Sequence, residues 1–330
     1  IDEVSMMSMK IFDLLNEIGK KVRKNTTSSF GGIQLVFSGD FYQLPPVGNI
    51  DDESTCKFCF ESALWNSTFS ETIELKKIFR QNDELYIKIL NEIRVGKLHR
   101  SSFDALKKRV GVMPTDITTT PTILLPRRYD VDEINTTKLS NIEDDIVEYT
   151  VRKADNITLS ETETNTARGF SNEDKEKEGK YLMKNILCDE IVQLKKGAQV
   201  MCVANLDTES VNGICNGSQG IIEDFVNGYP LVHFNNGSKR IIKRHVWKSE
   251  NIPDVGIEHI PLILSWAITI HKAQGVTLEN ALIDVGTGIF EFGQSYVALS
   301  RVKSLEGLYL KNFNPQKIKI HPKVKEFYKD

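Results

Sequence analysis

A chain of 330 residues can hold two or three domains with well-buried cores. Its composition, 40% hydrophobic and 26% charged, is that of an ordinary globular protein, and no apolar run approaches the roughly 18 residues that a membrane span needs. A formal net charge of −3 argues against a protein that coats nucleic acid by bulk attraction, while leaving room for a narrow basic channel. The five cysteines are scattered and odd in number, which predicts a reducing compartment. Cys56 and Cys59 form a CxxC with no second ligand pair, so they read as ordinary thiols.

The chain opens on Ile1, at what reads as the end of a buried strand, with no signal peptide. It is therefore expected to be a fragment whose upstream half-domain lies outside it. Ile11, Leu14, Leu15, Ile18 and Val22 recur at the i, i+3, i+4, i+7 spacing of an amphipathic helix. Gly31 and Gly32 follow, then Ile33–Phe37, an apolar run that predicts a buried parallel strand. Tyr86, Ile89, Leu90 and Ile93 predict the buried face of a second helix, stopped by Gly96. A strand is expected at Thr122–Leu125 and a further helix around Val131, Ile134 and Leu139. Residues 152–180 are poor in large apolar side chains and read as a flexible, solvated stretch.

Between 187 and 255 the pattern changes. Four Asn-Gly pairs, at 212, 216, 227 and 236, alternate with short apolar runs. Asn-Gly supplies the positive φ angles of tight hairpins, so a small antiparallel barrel is expected here. The α/β pattern then returns, with buried strands expected at Leu262–Ile270, Ala281–Val285 and Leu308–Leu310. The barrel thus reads as an insertion in an α/β domain.

Asp2 and Glu3 sit at the carboxyl end of the first strand, where open α/β sheets bind ligands. Such a pair can hold Mg²⁺ through one member and position a water through the other, or it can simply favour the start of the following helix. In GGIQLVFSGDFYQLPPV, Gly39 permits a sharp turn and Gln43 could bond a terminal phosphate without repelling it, or merely cap the turn. Arg80, in Phe79-Arg80-Gln81, has the planar fork that suits phosphate. Thr269-Ile270-His271-Lys272-Ala273-Gln274-Gly275 follows a strand and is expected to open a helix whose N–H groups and side chains meet a nucleic-acid backbone. GQSYVALSR ends on Arg301, placed to supply a cation to a transferring phosphate.

Together, IDEVSM, FGGIQLVFSGDFYQLPPV, the FRQ segment, AITIHKAQGVTL and GQSYVALSR followed by SLEGLYL resemble the petite-integration-frequency (PIF) family of RecD-like superfamily-one DNA helicases. The stretch from GAQVMCVANLD through NGSQGII to PLVHF resembles that family's inserted barrel. The resemblance covers nearly the whole chain and is weakest from about 140 to 185. It implies a P-loop NTPase, RecA-like fold: the C-terminal part of a first RecA-like domain over 1–72, a second over 73–186 and 256–330, and the small β-barrel over 187–255. It implies ATP and Mg²⁺ as cofactors, with single-stranded DNA and duplex junctions as partners. It also implies 5′-to-3′ movement in repair, recombination or telomere maintenance, and an intracellular location, the nucleus first, with a mitochondrion or a viral factory as the alternatives. Carried over by residue, Asp2 would hold Mg²⁺, Glu3 would activate water, Gln43 would sense the γ-phosphate, and Arg80 and Arg301 would contact phosphate from the second domain. Thr269, His271, Lys272 and Gln274 would meet DNA and couple it to the nucleotide.

One departure stands out. The family needs a GxxxxGK[ST] phosphate loop, and none of the Gly-Lys pairs at 19, 96 and 179 fits it. The isolated chain is therefore expected to hydrolyse no ATP. A fragment that binds DNA without ATPase activity, or the helicase part of a transposase or viral replication protein, are the alternatives.

Overall fold

The computed structural model describes residues 1–49, 51–113, 120–155, 157–186, 188–207, 210 and 213–329. These fall into two compact units. The first comprises Ile1–Pro114, Leu124–Arg127 and Thr269–Asp330, and the second Thr115–Ile123 and Arg128–Ile268. No helix among the described residues is long and apolar enough to cross a membrane.

In the first unit, Ser8 caps the helix Met9–Arg23 by accepting the Ile11 N–H, and Lys20, Lys21 and Arg23 lie in its last turn, where cations suit the helix dipole. The helix forms as expected, but its buried face is rotated from the predicted one. Phe12, Asn16 and Gly19 are buried, whereas Ile11, Leu14 (56% exposed), Ile18 and Val22 (72%) face outward. Backbone approach decides this. A Cβ at Gly19 would lie 2.7 Å from the Phe30 carbonyl oxygen, and Asn16 Oδ1 accepts the Phe30 N–H at 2.9 Å. Phe12 then joins an aromatic cluster with Phe30, Phe37, Trp65 and Phe69. The C-terminal helix Pro322–Phe327 adds Val324 and Phe327 to the same core.

Residues 33–38 are extended and pair with residues 1–4 in parallel fashion. Ile1 N donates to Val36 O at 2.7 Å, Ser38 N–H to Ile1 O at 2.8 Å and Val4 N–H to Ser38 O at 3.1 Å. The expected burial is not found: Ile33 and Val36 (73%) are exposed. The ladder is too short to count as a strand, and among the described residues it is paired on one side.

The helix Glu84–Arg94 is capped by Asp83 and buries Tyr86, Ile89, Leu90 and Ile93, the predicted face. Glu92, also buried, accepts the His99 N–H at 2.9 Å and so ties this helix to the next, Arg100–Lys107. Ala281–Val285 and Leu308–Phe313 pair in parallel, as the strand readings at those positions require.

The second unit carries the antiparallel sheets. Five strands run in the order Leu262–Leu264, Gln199–Cys202, Gln219–Val226, Tyr229–Phe234, Lys239–Ile241. Asn227 (φ 51°) and Gly228 (φ 78°) close the central hairpin with the positive angles read from the sequence. Of the other pairs, Asn212 lies outside the described residues, as does Leu187 at the start of the expected module. The single strand expected at Leu262–Ile270 is two strands, Leu262–Leu264 and Ala267–Thr269. The break is fixed by polar bonds at Ser265, whose carbonyl accepts from Thr122 Oγ1 and Gln199 Nε2. Residues 152–180 are not the loop that composition suggested. They hold the strand Arg152–Lys153, the helix Glu161–Ala167 and most of the helix Asn172–Asn185, with capping boxes at Ser160/Glu163 and Ser171/Asp174.

Candidate nucleotide and DNA site

The first unit gathers most of the residues singled out in the sequence. Glu3 lies in the left-handed region (φ 51°, ψ 44°), which a non-glycine residue rarely adopts. This kink interrupts the parallel ladder, so that Val4 donates to Ser38 O where a regular ladder would use Glu3. Gly39 lies against the kink, and a Cβ there would come within 2.8 Å of Val4 N. Asp2 Oδ1 accepts the Ser38 hydroxyl and the Glu3 N–H. These two donors, Ser38 first, hold the Asp2 carboxyl below its ordinary range, so it is ionised and suited to a hard cation.

The loop that follows is clamped. Asp40 takes two bonds from the Arg94 guanidinium, at 3.0 and 3.1 Å, and Arg94 lies over the Tyr42 ring at 4.6 Å. Burial works against the Arg94 charge, but the Asp40 carboxylate more than offsets this and its pKa rises. Tyr328 stacks on Tyr42 with ring centroids 4.5 Å apart. Gly293 is essential to the packing, since its Cβ would stand 2.4 Å from Gln43 O. Within this clamp Gln43 Oε1 is buried and has no hydrogen-bond partner among the described residues.

Arg301 follows the short helix Gln294–Leu299 and is 2% exposed. Its Nε donates to Val297 O at 2.8 Å and its Nη2 to Ser300 Oγ at 2.7 Å. Burial, then the charge of Arg80, push its pKa down to about 10, with Tyr296 and Glu3 acting in the opposite sense. It stays cationic at neutral pH. Neither Arg80 nor Arg301 forms an ion pair with a carboxylate among the described residues; Arg80 Nε donates instead to Thr277 Oγ1 at 3.1 Å. Arg301, in electrostatic reach of both Arg80 and Glu3, makes with Arg80 a place suited to a phosphate oxyanion.

Sequence reasoning missed what holds Arg301. Gln81 Nε2, buried, donates to both Ser300 O and Val302 O at 3.1 Å, bracketing the arginine's own backbone, and the Tyr86 hydroxyl donates to Leu299 O at 2.6 Å. Nothing in a lone Gln after Phe-Arg announces such a bond. Its only signal was its place in the quoted FRQ.

Residues 270–275 form a closed turn and open no helix, contrary to expectation. The N–H groups that a helix start would leave free are used locally. Thr269 accepts from Lys272 N–H through Oγ1 and from Ala273 N–H through its carbonyl, and His271 O accepts the Gln274 N–H. The His271 ring is stacked near Phe290, and burial lowers its pKa. Gln274 reaches the first residues of the chain, where its Nε2 donates to Glu3 Oε2 at 2.9 Å. All five cysteines are free thiols, and Cys59 is pushed up to about 12 by burial. Among the described residues no cluster of three or more His, Cys, Asp or Glu is arranged to hold a metal.

A family model described as PIF1-like helicase matches residues 1–103, and one described as the 2B domain of DNA helicase Pif1 matches residues 181–225. The ATP-dependent DNA helicase PIF1 of Emericella nidulans is 33% identical over 382 residues, which take in 100% of this chain and 49% of that protein. The human protein of that name is 32% identical, over 99% of this chain and 48% of its own length. The chain thus spans about half the length of the curated relatives it matches. The crystal structure of Pif1 helicase from Candida albicans superposes with a TM-score of 0.76 at 36% identity, covering 100% of this chain and 75% of that one. That of Bacteroides Pif1 in complex with ADP-AlF4 gives 0.77 at 28% identity, covering 100% and 74%. A further Bacteroides Pif1 structure, bound to single-stranded DNA, gives 0.67 at 28% identity, covering 100% and 74%.

Proposed function

This chain belongs to the PIF1-like helicase family, with its RecA-like P-loop NTPase fold, and we propose from that premise that it is part of an ATP-driven motor that moves along single-stranded DNA. The observation that carries the reading is Arg301, a buried guanidinium that has no carboxylate partner among the described residues and lies in electrostatic reach of both Arg80 and Glu3. ATP with Mg²⁺ fits the residues present: Asp2 is held ionised, and Gln43 Oε1 and Gln274 Oε1 are buried acceptors that have no donor among the described residues. Bound together, they would supply the phosphoryl group for transfer to water and a cation to neutralise its charge. In this reading Asp2 holds the metal and Glu3 takes the water's proton. Gln43 reads the terminal phosphate without charge repulsion, while Arg80 and Arg301 stabilise the charge that develops on the transferring group. Thr269, His271 and Lys272 meet the DNA backbone; Gln274 is taken up below.

The functional division is that of the resemblance: 1–72 as the end of the first RecA-like domain, 73–186 with 256–330 as the second, and 187–255 as the barrel. The phosphate-binding loop that the family needs would have to come from polypeptide outside these 330 residues. In support stand the exposed row Leu14, Ile18 and Val22, the extended segment at Ile33 and Val36, and the lack of any GxxxxGK[ST] in the chain. Movement in the 5′-to-3′ sense, action at duplex junctions, roles in repair, recombination or telomere maintenance, and a nuclear location extend this reading on family membership alone.

Steady-state ATPase with single-stranded DNA present tests it. The 330-residue chain is expected to show no turnover, whereas the protein extended upstream to include a phosphate loop is expected to turn over at about 1–100 per second. Turnover of that order by the isolated chain, equal in a Glu3→Gln control, would point to a contaminant. Turnover abolished by Glu3→Gln would show that the chain needs no upstream loop and overturn that part of the reading.

A further inference from the structure

The turn 269–275 carries four side chains expected to face DNA, and the structure separates one of them from the others. Gln274 Nε2 donates to Glu3 Oε2 at 2.9 Å. Its Oε1 is buried and has no partner among the described residues, so the amide is turned toward Glu3. The turn fixes this direction by the Lys272 N–H bond to Thr269 Oγ1 and the Gln274 N–H bond to His271 O, after which Gly275 leaves it with φ +79°. Glu3 is itself pinned in a left-handed conformation.

A carboxylate that acts as a base near the Arg301 guanidinium faces a competing attraction, because a cation would draw both of its oxygens. A neutral amide donor holds one oxygen in place without taking the charge. It leaves Glu3 Oε1, which has no bond among the described residues, as the acceptor for a water proton. We propose that Gln274 is a positioning residue of the nucleotide site that holds the Glu3 carboxylate, and not a DNA ligand. This inference rests on Glu3 serving the nucleotide, as in the reading above. It moves Gln274 from the DNA set into the hydrolytic machinery.

The test uses the 330-residue chain, ¹⁵N-labelled, with a fluorescein-tagged dT12 strand as the DNA probe. In Glu3→Gln the side-chain amide resonance of Gln274 moves, because its charged acceptor is gone. Gln274→Ala keeps its dT12 affinity within about twofold, whereas Lys272→Ala binds less tightly and loses about 0.7 from the slope of log K against log salt, the loss of one phosphate contact. A Gln274 amide indifferent to Glu3→Gln overturns the proposal, as does a loss in Gln274→Ala equal to that in Lys272→Ala. Should Gln274→Ala fail to fold, Gln274→Leu gives the same reading at nearly constant volume. If the unchanged chain does not bind dT12, the DNA role of the turn fails, and the amide resonance alone decides the place of Gln274.

Discussion

Arg301 is held through the backbone around it. Gln81 satisfies the carbonyls on both sides of it, and Tyr86 satisfies one more. Replacing Gln81 by Leu leaves two buried carbonyls without a donor, at a cost of about 2 kcal/mol in stability. Urea denaturation should show this as a lower midpoint at unchanged slope. Gln81→Glu, which cannot donate when ionised, should be worse, and a midpoint unmoved in both variants would refute the bracketing role. At this scale the sequence was legible where a residue type carries its own chemistry: Asp2, Glu3, Gln43, Arg80 and Arg301 were each nameable from charge, fork or amide. Gln81, Arg94 and Tyr86 were not, because their importance lies in which distant carbonyl or carboxylate they meet.

Elements were read well where one periodicity dominated and poorly where backbone contact or capping did. Glu84–Arg94 buries the face its spacing predicts. Met9–Arg23 does not, because Asn16 and Gly19 admit the Phe30 backbone and turn the helix. Two helices in 152–185 escaped notice because composition reports the lack of a core, whereas Ser160 and Ser171 report a helix start. The turn at 269–275 looked like a helix opening until Thr269 took the N–H groups that a helix would present. The rotated helix gives a contrast that can be measured. Phe12→Ala should destabilise the chain by about 3–5 kcal/mol, as for a buried aromatic, while Leu14→Glu with Val22→Glu should change it by no more than about 0.5 kcal/mol. Equal losses in thermal or urea unfolding would place the outward row in the core and contradict the packing.

The whole chain passes from the first unit into the second and back, carrying antiparallel sheets in the second and Asp2, Glu3, Gln43, Arg80 and Arg301 in the first. The hairpin density between 187 and 255 made those sheets legible. Val147–Thr150 was missed as a strand, and Leu262–Leu264, read as a strand of the returning α/β pattern, pairs antiparallel with Gln199–Cys202 instead, because pairing partners distant in sequence leave no local mark. The central claim is that Arg301 works on phosphate. Arg301 donates to Val297 O and Ser300 Oγ, bonds that also hold the end of its helix, so turnover and stability have to be read together. The most direct measurement is kcat for ATP, with melting temperature and DNA affinity, for Arg301→Ala in the protein extended upstream to include a phosphate loop. The account expects kcat to fall about 10³-fold or more while nucleotide-free DNA affinity holds. A destabilised variant with near-normal kcat at low temperature would contradict it.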